Sequence, residues 1–589
     1  MKYGNIELTG SLDISGSFTV PSGITLPDET STPDGSLFFD TANSVLCGLV
    51  SGSWATMPPV AGSDPFPVTI SYLLVAGGGG GGSSGAGSGG GGAGGLLSSS
   101  ISPPNSASGS TFTVTVGAGG AGGTGTGYGN HGANGQNSSI SYNSITTTAT
   151  GGGGGSGGNQ VGSSGGSGGG GNGGYDTAGG SGTTGQGDDG GDGTYSSGGS
   201  GQDAYAGGGG GGASQVGSDG FANASSEIGG TGGTGLASNI TGTSTHYAGG
   251  GGGGAGYRRT TTAGVAGTGG GGTGASSQTS DATAGAANTG GGGGGGGGYT
   301  SNPNGGSSRN GKSGGAGVAI FAYGSGSLNS IGGHESDAGS GKKAHKFSSS
   351  GTFYIGAPTD FQIVTDDLLV NYDFANAATW NGSASTITDL QGTHNLSIVS
   401  SPTLDLTHGG GLSLDGTDDH AVKTGISYTP YMAEIWLTTD VAINTGTYTD
   451  SNYASPLGLG DYPGGFTFGA YTGGMTNETI AFWGQNYAST GATYIRDTFS
   501  AGTYQIVANW NGSTYDIWVN GSKKTAYAIA TNGNTTLHAR DTIYLGKEDH
   551  ATQSYEFGGR IHNVKIYTAQ KTDADVTQNW NALRKRFGL

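Results

Sequence analysis

A single cysteine, Cys47, in 589 residues leaves no intrachain disulfide to staple the chain. The sequence therefore suits synthesis in a reducing cytoplasm, with stability drawn from packing and backbone bonding. Charge is scarce as well: Asp, Glu, Lys and Arg make up 10% of residues, with 39 acidic against 20 basic side chains and a net charge of −19. That balance argues against nucleic acid or an anionic membrane as the main partner. No charged segment followed by an apolar run opens the sequence and no stretch approaches 18 apolar residues, so neither signal-directed secretion nor a membrane anchor is expected. Proline totals 15 and no strict Gly-X-Y period exists, which excludes collagen.

What the chain has in excess is glycine, 137 residues, where about 7% of positions is usual. Most of the excess lies between Val75 and Ala322, in runs at 77–82, 151–155, 207–212, 249–254 and 290–298. A flexible linker is the ordinary reading of Gly/Ser-rich sequence. Against it, short β-branched and aromatic segments punctuate the runs: 68–76 (VTISYLLVA), 111–116 (TFTVTV), 138–147 (SSISYNSITT) and 317–323 (GVAIFAY). Without Cβ atoms, extended three-residue helices can pack side by side until every N–H and C=O finds a neighbour, with no hydrophobic core. At about 3.1 Å per residue, a six-residue run would span about 19 Å. The expectation is a bundle of rods with loops at both ends.

Those loops carry Tyr128, His131, Tyr175, Tyr195, Tyr205, Tyr247, Tyr257, Arg258 and Tyr299. Aromatic and polar residues on loops of a rigid scaffold form a paratope-like surface; the alternative is that each tyrosine merely caps the bundle. The succession YLLVAGGGGGG, TFTVTVGAGG, ATGGGGG and a closing GVAIF resembles the glycine-rich domain of bacteriophage tail-fibre and adhesin proteins. The resemblance covers about 250 residues. It implies a polyglycine-helix bundle with receptor-binding loops at its tips.

Toward the start, residues 6–20 (IELTGSLDISGSFTV) repeat a period-two strand every six residues. One such ribbon cannot bury its apolar face alone, and three chains about an axis would do so, as in the shafts of phage fibres; a homotrimer is expected, or else a hairpin packed on the next domain. Residues 35–54 predict a hairpin with its turn at 41–44 and Cys47 as a small apolar strand residue. The string resembles a short module near the N-termini of phage structural and tail-fibre proteins, which implies attachment to other virion proteins at this end.

Beyond a Gly-, Ser- and Lys-rich stretch at 325–361, read as a hinge, composition turns globular. About ten short strands separated by turn signals predict an all-β sandwich over 362–589, closed by a helix at 573–584. Three strings, LSLDGTDDH (412–420), GTYQIVANWNGSTYDIWVNGSKK (502–524) and the closing 557–589, resemble the concanavalin A-like, laminin-G-type lectin and glucanase superfamily. Carbohydrate or protein binding is the role this implies.

Some members of that superfamily are glycosidases, which need paired carboxylates about 5–5.5 Å apart for a retaining mechanism. The Glu-x-Asp-x-x-Glu pattern is absent, and Glu434 is the sole candidate acid, so no enzymatic activity is expected. Asp415, Asp418 and Asp419 could hold Ca²⁺, although Asp and Gly are ordinary turn formers; no other cofactor is expected. For sugar recognition the loop-rich segments offer Tyr453, Tyr462, Trp483, Asn486, Tyr487, Tyr494 and Arg496, while Trp510 and Trp518 are expected in the core.

The reading is a mainly β chain of four parts. An N-terminal β-ribbon and hairpin shaft (1–66) serves attachment and trimerisation. A polyglycine-helix bundle on a small β scaffold (67–324) and a hinge (325–361) lead to a C-terminal jelly-roll sandwich (362–589). The expected function is that of an external virion fibre, made in the host cytoplasm, that recognises host surface glycan or an outer-membrane receptor. The alternatives are a capsid-vertex or collar decoration fibre and a polysaccharide depolymerase.

Overall fold

The computed structural model describes residues 69–103, 109–125, 130–198, 203–276, 280–298, 310–325, 329–356, 358–440, 454–460, 464–468, 480–483, 492–495, 497, 499–528, 537–548 and 556–589, with four short strands before them. The chain divides into two units, Met1–Pro67 with Pro104–Ser106, and the remainder. In the first, strands Ser22–Gly23, Leu37–Asp40, Val45–Val50 and Ser53–Thr56 form one sheet in that order. The hairpin expected at 35–54 is there, with Cys47 in a strand opposite Phe38. The repeat at 6–20 lies outside the described residues.

The second unit begins with a sandwich of two five-stranded sheets. One has the order His334–Asp337, Lys342–Phe347, Val318–Gly324, Ile70–Val75, Leu96–Ile101; the other has Asn329–Ile331, Gly351–Gly356, Ser110–Thr115, Ser138–Tyr142, Ile145–Ala149. Alternate side chains meet between them, with Ile70, Tyr72, Leu74, Phe112, Val114, Phe321, Phe347 and Phe353 all buried. Phe321 and Phe353 stack at 4.6 Å. The hinge reading of 325–361 is corrected here. That stretch supplies strands to both sheets, because KKAHKF and GTFYIG bury Phe347, Phe353 and Ile355 in the same core.

Glycine rods grow out of the strand ends of this sandwich. In residues 77–82 the amides of 77 and 80 donate to Gln136 and Ala133, those of 78 and 81 to Gly315 and Lys312, and those of 79 and 82 to Gly92 and Gly89, all at 2.8 to 3.0 Å. Their carbonyls accept, in the same threefold rotation, from Gly152 and Gly155, Gly120 and Gly123, and Gly293 and Gly296. Changing partner at each residue and returning every third is a threefold helix without internal bonds. With none of these glycines at positive φ, it is the left-handed polyproline-II form. Partner numbers fall along three neighbours and rise along the other three. This rod thus gives its amides to three antiparallel rods and receives amides from three parallel ones. A Cβ on Gly80 would lie 2.1 Å from the Ala121 carbonyl oxygen, and one on Gly79 would lie 2.2 Å from that of Gly153. Only glycine permits this spacing.

At the margin of the bundle, side chains replace the missing rod. Asn137 and Asn134 accept from the amides of Gly151 and Gly154, and Asp192 and Asp189 from those of Gly179 and Gly182, at 2.7 to 2.9 Å. The spacing of three matches the rod's own turn.

Two larger sheets form the C-terminal sandwich. Gly558–Tyr567, Met432–Thr439, Gly502–Trp510 and Tyr515–Val519 run through the centre of one; His420–Tyr428, Arg540–Leu545, Ala454–Leu459 and Gly465–Phe468 run through the other. Between them lie Tyr372, Phe374, Ile435, Phe466, Phe468, Phe482 and Trp510. Helix Asp573–Arg584 starts on a capping box of Thr572 and Asp575 and covers the outer face, where Trp436, Ala582, Leu583 and Phe587 pack, with Trp518 in a neighbouring cluster.

The two sandwiches share backbone bonds, Glu335 N–H to Ala375 and Ala377 N–H to Glu335. Arg586 is buried among them, donating to the carbonyls of His408 and Gly410 and to Asp373. Four histidines line this region. Burial, with the Arg586 charge second, pushes His334 down to about 4, His408 down, and His562 well below its usual range; burial also lowers His345.

Candidate functional site

At the end of the rods remote from the sandwich, hydrogen bonds link one level: Gly82 to Gly89 and Gly296, Ser88 to Gly254, Gly254 to Gly207. The chain turns back there in short hairpins, because the rods end where glycine gives way to β-branched and aromatic residues. Thr194–Ser196 pairs with Ala204–Ala206, placing Tyr195 opposite Tyr205. Phe221–Ala222 pairs with Ser226–Ile228, which pairs in parallel with Thr260–Thr262.

An aromatic row results. The rings of Tyr195 and Tyr205 are 5.8 Å apart, those of Tyr205 and Tyr257 are stacked at 6.3 Å, and the Arg258 guanidinium sits 4.9 Å above the Tyr257 ring. Arg258 also donates to the Tyr257 hydroxyl at 2.8 Å, so a contact of this kind, worth about 0.5–1 kcal/mol when exposed, is doubled by a hydrogen bond. Burial, then the charge of Asp203, pushes the Tyr205 phenol up. Around the row, Tyr175 (42%), Tyr195 (41%), Phe221 (51%) and Ile228 (38%) are exposed.

Glu227 holds the row together. Fully buried, it accepts from the amides of Tyr205 (3.0 Å), Arg258 (2.8 Å) and Arg259 (3.1 Å). Asp176, in the left-handed region after Tyr175, accepts from the Tyr195 amide at 3.2 Å.

Tyr175, Tyr257 and Arg258 lie on the tip, together with Tyr195 and Tyr205. His131 is half-buried, and burial lowers its pKa. Tyr247 is a correction: it sits in strand Thr245–Tyr247, buried with Val75, Ile320 and Ala338 where the bundle meets the sandwich. Tyr128 and Tyr299 lie outside the described residues. Glu227, Phe221 and Ile228 were not singled out from sequence. A lone glutamate between Ser226 and Ile228 carries no pattern, and the amides it binds are 22 to 32 residues away.

In the C-terminal sandwich, Tyr453, Tyr462, Asn486, Tyr487 and Arg496 lie outside the described residues. Trp483 and Tyr494 fall in strands Ile480–Trp483 and Ala492–Ile495 rather than in loops, and their side chains are likewise outside. Asp415, Asp418 and Asp419 do converge, their ligand atoms lying within 4.8 Å of one another. Backbone amides already engage them: Asp415 accepts from Thr417 at 2.8 Å, which lowers its pKa, and Asp419 from Ser401 at 2.8 Å. Their oxygens are of the kind Ca²⁺ takes.

Glu434 is no surface acid. It is fully buried beneath the helix, 3.2 Å from Lys565 Nζ, and accepts from Trp436, Gln505 and Asn579 at 2.7 to 3.0 Å. It ties the sheet to the helix.

The family model of a glycine-rich domain matches residues 60–324. No curated protein matches the chain. Solved structures similar to part of it include domain 4 of AbnA, a GH43 extracellular arabinanase from Geobacillus stearothermophilus, in complex with arabinotriose, at 14% identity over 36% of this chain and 98% of that one, TM-score 0.24. Trypanosoma rangeli sialidase in complex with sialic acid matches at 11% identity over 45% of this chain and 42% of that one, TM-score 0.26. The binding domain of botulinum neurotoxin DC in complex with rat synaptotagmin II matches at 12% identity over 37% of this chain and 52% of that one, TM-score 0.25. This chain thus spans under half of the sialidase and about half of the toxin domain. The expectation that the chain is not an enzyme is corrected at this point, because glycosidases stand among the structures it resembles. Likeness at this level concerns fold alone, and no catalytic residue is transferred from it.

Proposed function

We propose that this chain is an attachment protein that binds carbohydrate, and more narrowly an external fibre of a bacteriophage virion that recognises the host surface. The observation that supports it is the tip of the glycine bundle: exposed aromatic and charged side chains on short hairpins, held by a scaffold whose every rod is cross-bonded to its neighbours. A rigid scaffold presenting such loops loses little entropy on binding. The N-terminal unit joins three copies to one another and to other virion proteins, and three tips on one fibre would raise weak single-site affinity by avidity. The host cytoplasm is the place of synthesis and the virion the destination.

The test is binding of the fluorescent full-length chain to bacterial cells, with light scattering of the same preparation. Saturable cell binding by a particle of three chain masses is the expected result. A monomer at micromolar concentration removes the trimer, and absence of binding together with failure to block phage adsorption removes the attachment reading.

A further inference from the structure

Resting on that attachment reading, we infer that the row Tyr195, Tyr205, Tyr257 and Arg258 is a subsite for an uncharged hexose-containing glycan, and that Glu227 is its positioning residue. The row offers an aromatic surface against which the C–H face of a sugar ring can lie: Tyr195 is 41% exposed, and Tyr205 and Tyr257 follow it at ring spacings of 5.8 and 6.3 Å, with Arg258 over the Tyr257 ring. Aromatic residues of this kind supply contact area with few rotatable bonds, and a small number of placed polar groups then fix orientation.

The polar groups at the rim decide the class of sugar. Asp176 lies against the Tyr195 backbone, and Asp203 takes the Tyr205 hydroxyl at 3.4 Å; beside them Asp192 and Asp219 bracket the outgoing rod, where Asp192 N–H donates to Asp219. Carboxylates accept hydrogen bonds and cannot donate them, so the rim suits sugar hydroxyls. The cations at the row are Arg258, which donates to the Tyr257 hydroxyl, and Arg259, two charges against the carboxylates of Asp176, Asp203, Asp192 and Asp219, so the rim keeps an excess of acid. A ligand bearing its own carboxylate would face this acidic rim and be repelled. A hydroxyl-rich neutral ring is what the geometry complements.

Glu227 acts through the row rather than on the ligand. Its two oxygens set the backbone of Tyr205 and of Arg258 at once, which fixes the spacing between the Tyr205 and Tyr257 rings. Glutamine in its place would turn an amide toward one of those N–H groups and open the row at one side.

The experiment uses the full-length chain on an array that prints neutral hexose oligosaccharides beside the same oligosaccharides carrying a uronic acid, with cell binding measured in parallel. Variants are Tyr195→Ala, Glu227→Gln and, as a control remote from the tip, Val216→Ala. Neutral sugars should bind at least tenfold better than acidic ones. Tyr195→Ala should lose at least tenfold on the array and on cells without lowering the melting temperature. Glu227→Gln should weaken binding about as much while Glu227→Asp recovers part of it, which a general loss of stability would not do. Preference for the acidic series overturns the ligand class, as does cell binding abolished by protease treatment of the cells. Cell binding that survives Tyr195→Ala overturns the subsite and leaves the attachment reading standing. Tyr195-dependent sugar binding without cell binding leaves the subsite and removes attachment. Binding to neither removes both.

Discussion

The glycine bundle and the C-terminal sandwich solve the same problem, burying a backbone, by opposite means. In the sandwich, sheets satisfy the backbone and large side chains such as Phe466, Phe482 and Trp436 fill the space between layers. Close packing of apolar side chains provides the driving force there. In the bundle only small side chains such as Ala93, Ser88 and Ser167 are buried among the rods, and the backbone is both the main filler and the hydrogen-bonding network. The difference teaches where each region can accept change: the sandwich yields by repacking, whereas the bundle has nothing to repack.

Four measurements would break or sharpen this contrast. The largest effect is expected from Gly80→Val, which forces a Cβ to 2.1 Å from the Ala121 carbonyl oxygen with only backbone around it. It should cost about 5 kcal/mol or more and open residues 75–322 to protease. If the variant stays protease-resistant, the rods are not packed as described. Next, Phe482→Ala in the sandwich should cost about 3–5 kcal/mol in urea unfolding and leave the sheets intact; a loss as complete as that of Gly80→Val would erase the distinction.

Acid should separate the regions too. His334, His345, His408 and His562 are held neutral in the folded chain, whereas in the unfolded chain they take up protons below about 6.5. Stability at the meeting of the two sandwiches is therefore complete above that pH and falls as pH drops toward 4, by roughly 3 kcal/mol for His334 alone. The rods are backbone apart from small side chains, with half-buried His131 among their loops, and should respond much less. Hydrogen exchange at pH 7 and pH 4.5 checks this, and equal acceleration in the rods would contradict it. The smallest effect concerns the three aspartates. Ca²⁺ at about 1 mM, bound with millimolar affinity, would add about 0.4 kcal/mol to the sandwich and nothing to the bundle. Chelator should remove the gain, and an Asp418→Asn chain that keeps it would exclude the cluster as the source.

Much of the fold was readable where one residue type decides the geometry. Strands Ile480–Trp483, Gly502–Trp510, Tyr515–Val519 and Gly558–Tyr567 fall where β-branched and aromatic residues sit between turn formers. His420–Tyr428 carries no continuous strand signal because Gly425, at φ +72°, interrupts it near a register shift, nor does Ala454–Leu459, where Pro456 and Gly458 read as breakers. The stretch 325–361 looked like a linker since its composition is polar, while its buried aromatics sit at strand spacing among lysines. At the tip, Tyr175, Tyr257 and Arg258 were recognisable as loop residues after glycine runs. Glu227 was not, since its role depends on amides brought together only by the bundle, and Tyr247 was misplaced because loops at the two ends of the rods look alike in sequence.

The asparagines and aspartates at the bundle margin have a further consequence. A rod with open amides on its flank is a template on which another rod, from this chain or a second, could be laid, much as an unpaired strand edge recruits a neighbour. By occupying those amides at every third residue, Asn134, Asn137, Asp189 and Asp192 terminate lateral growth, and the two aspartates add charge that repels a copy of the same surface. On these two flanks a lattice that could in principle extend sideways is thereby closed.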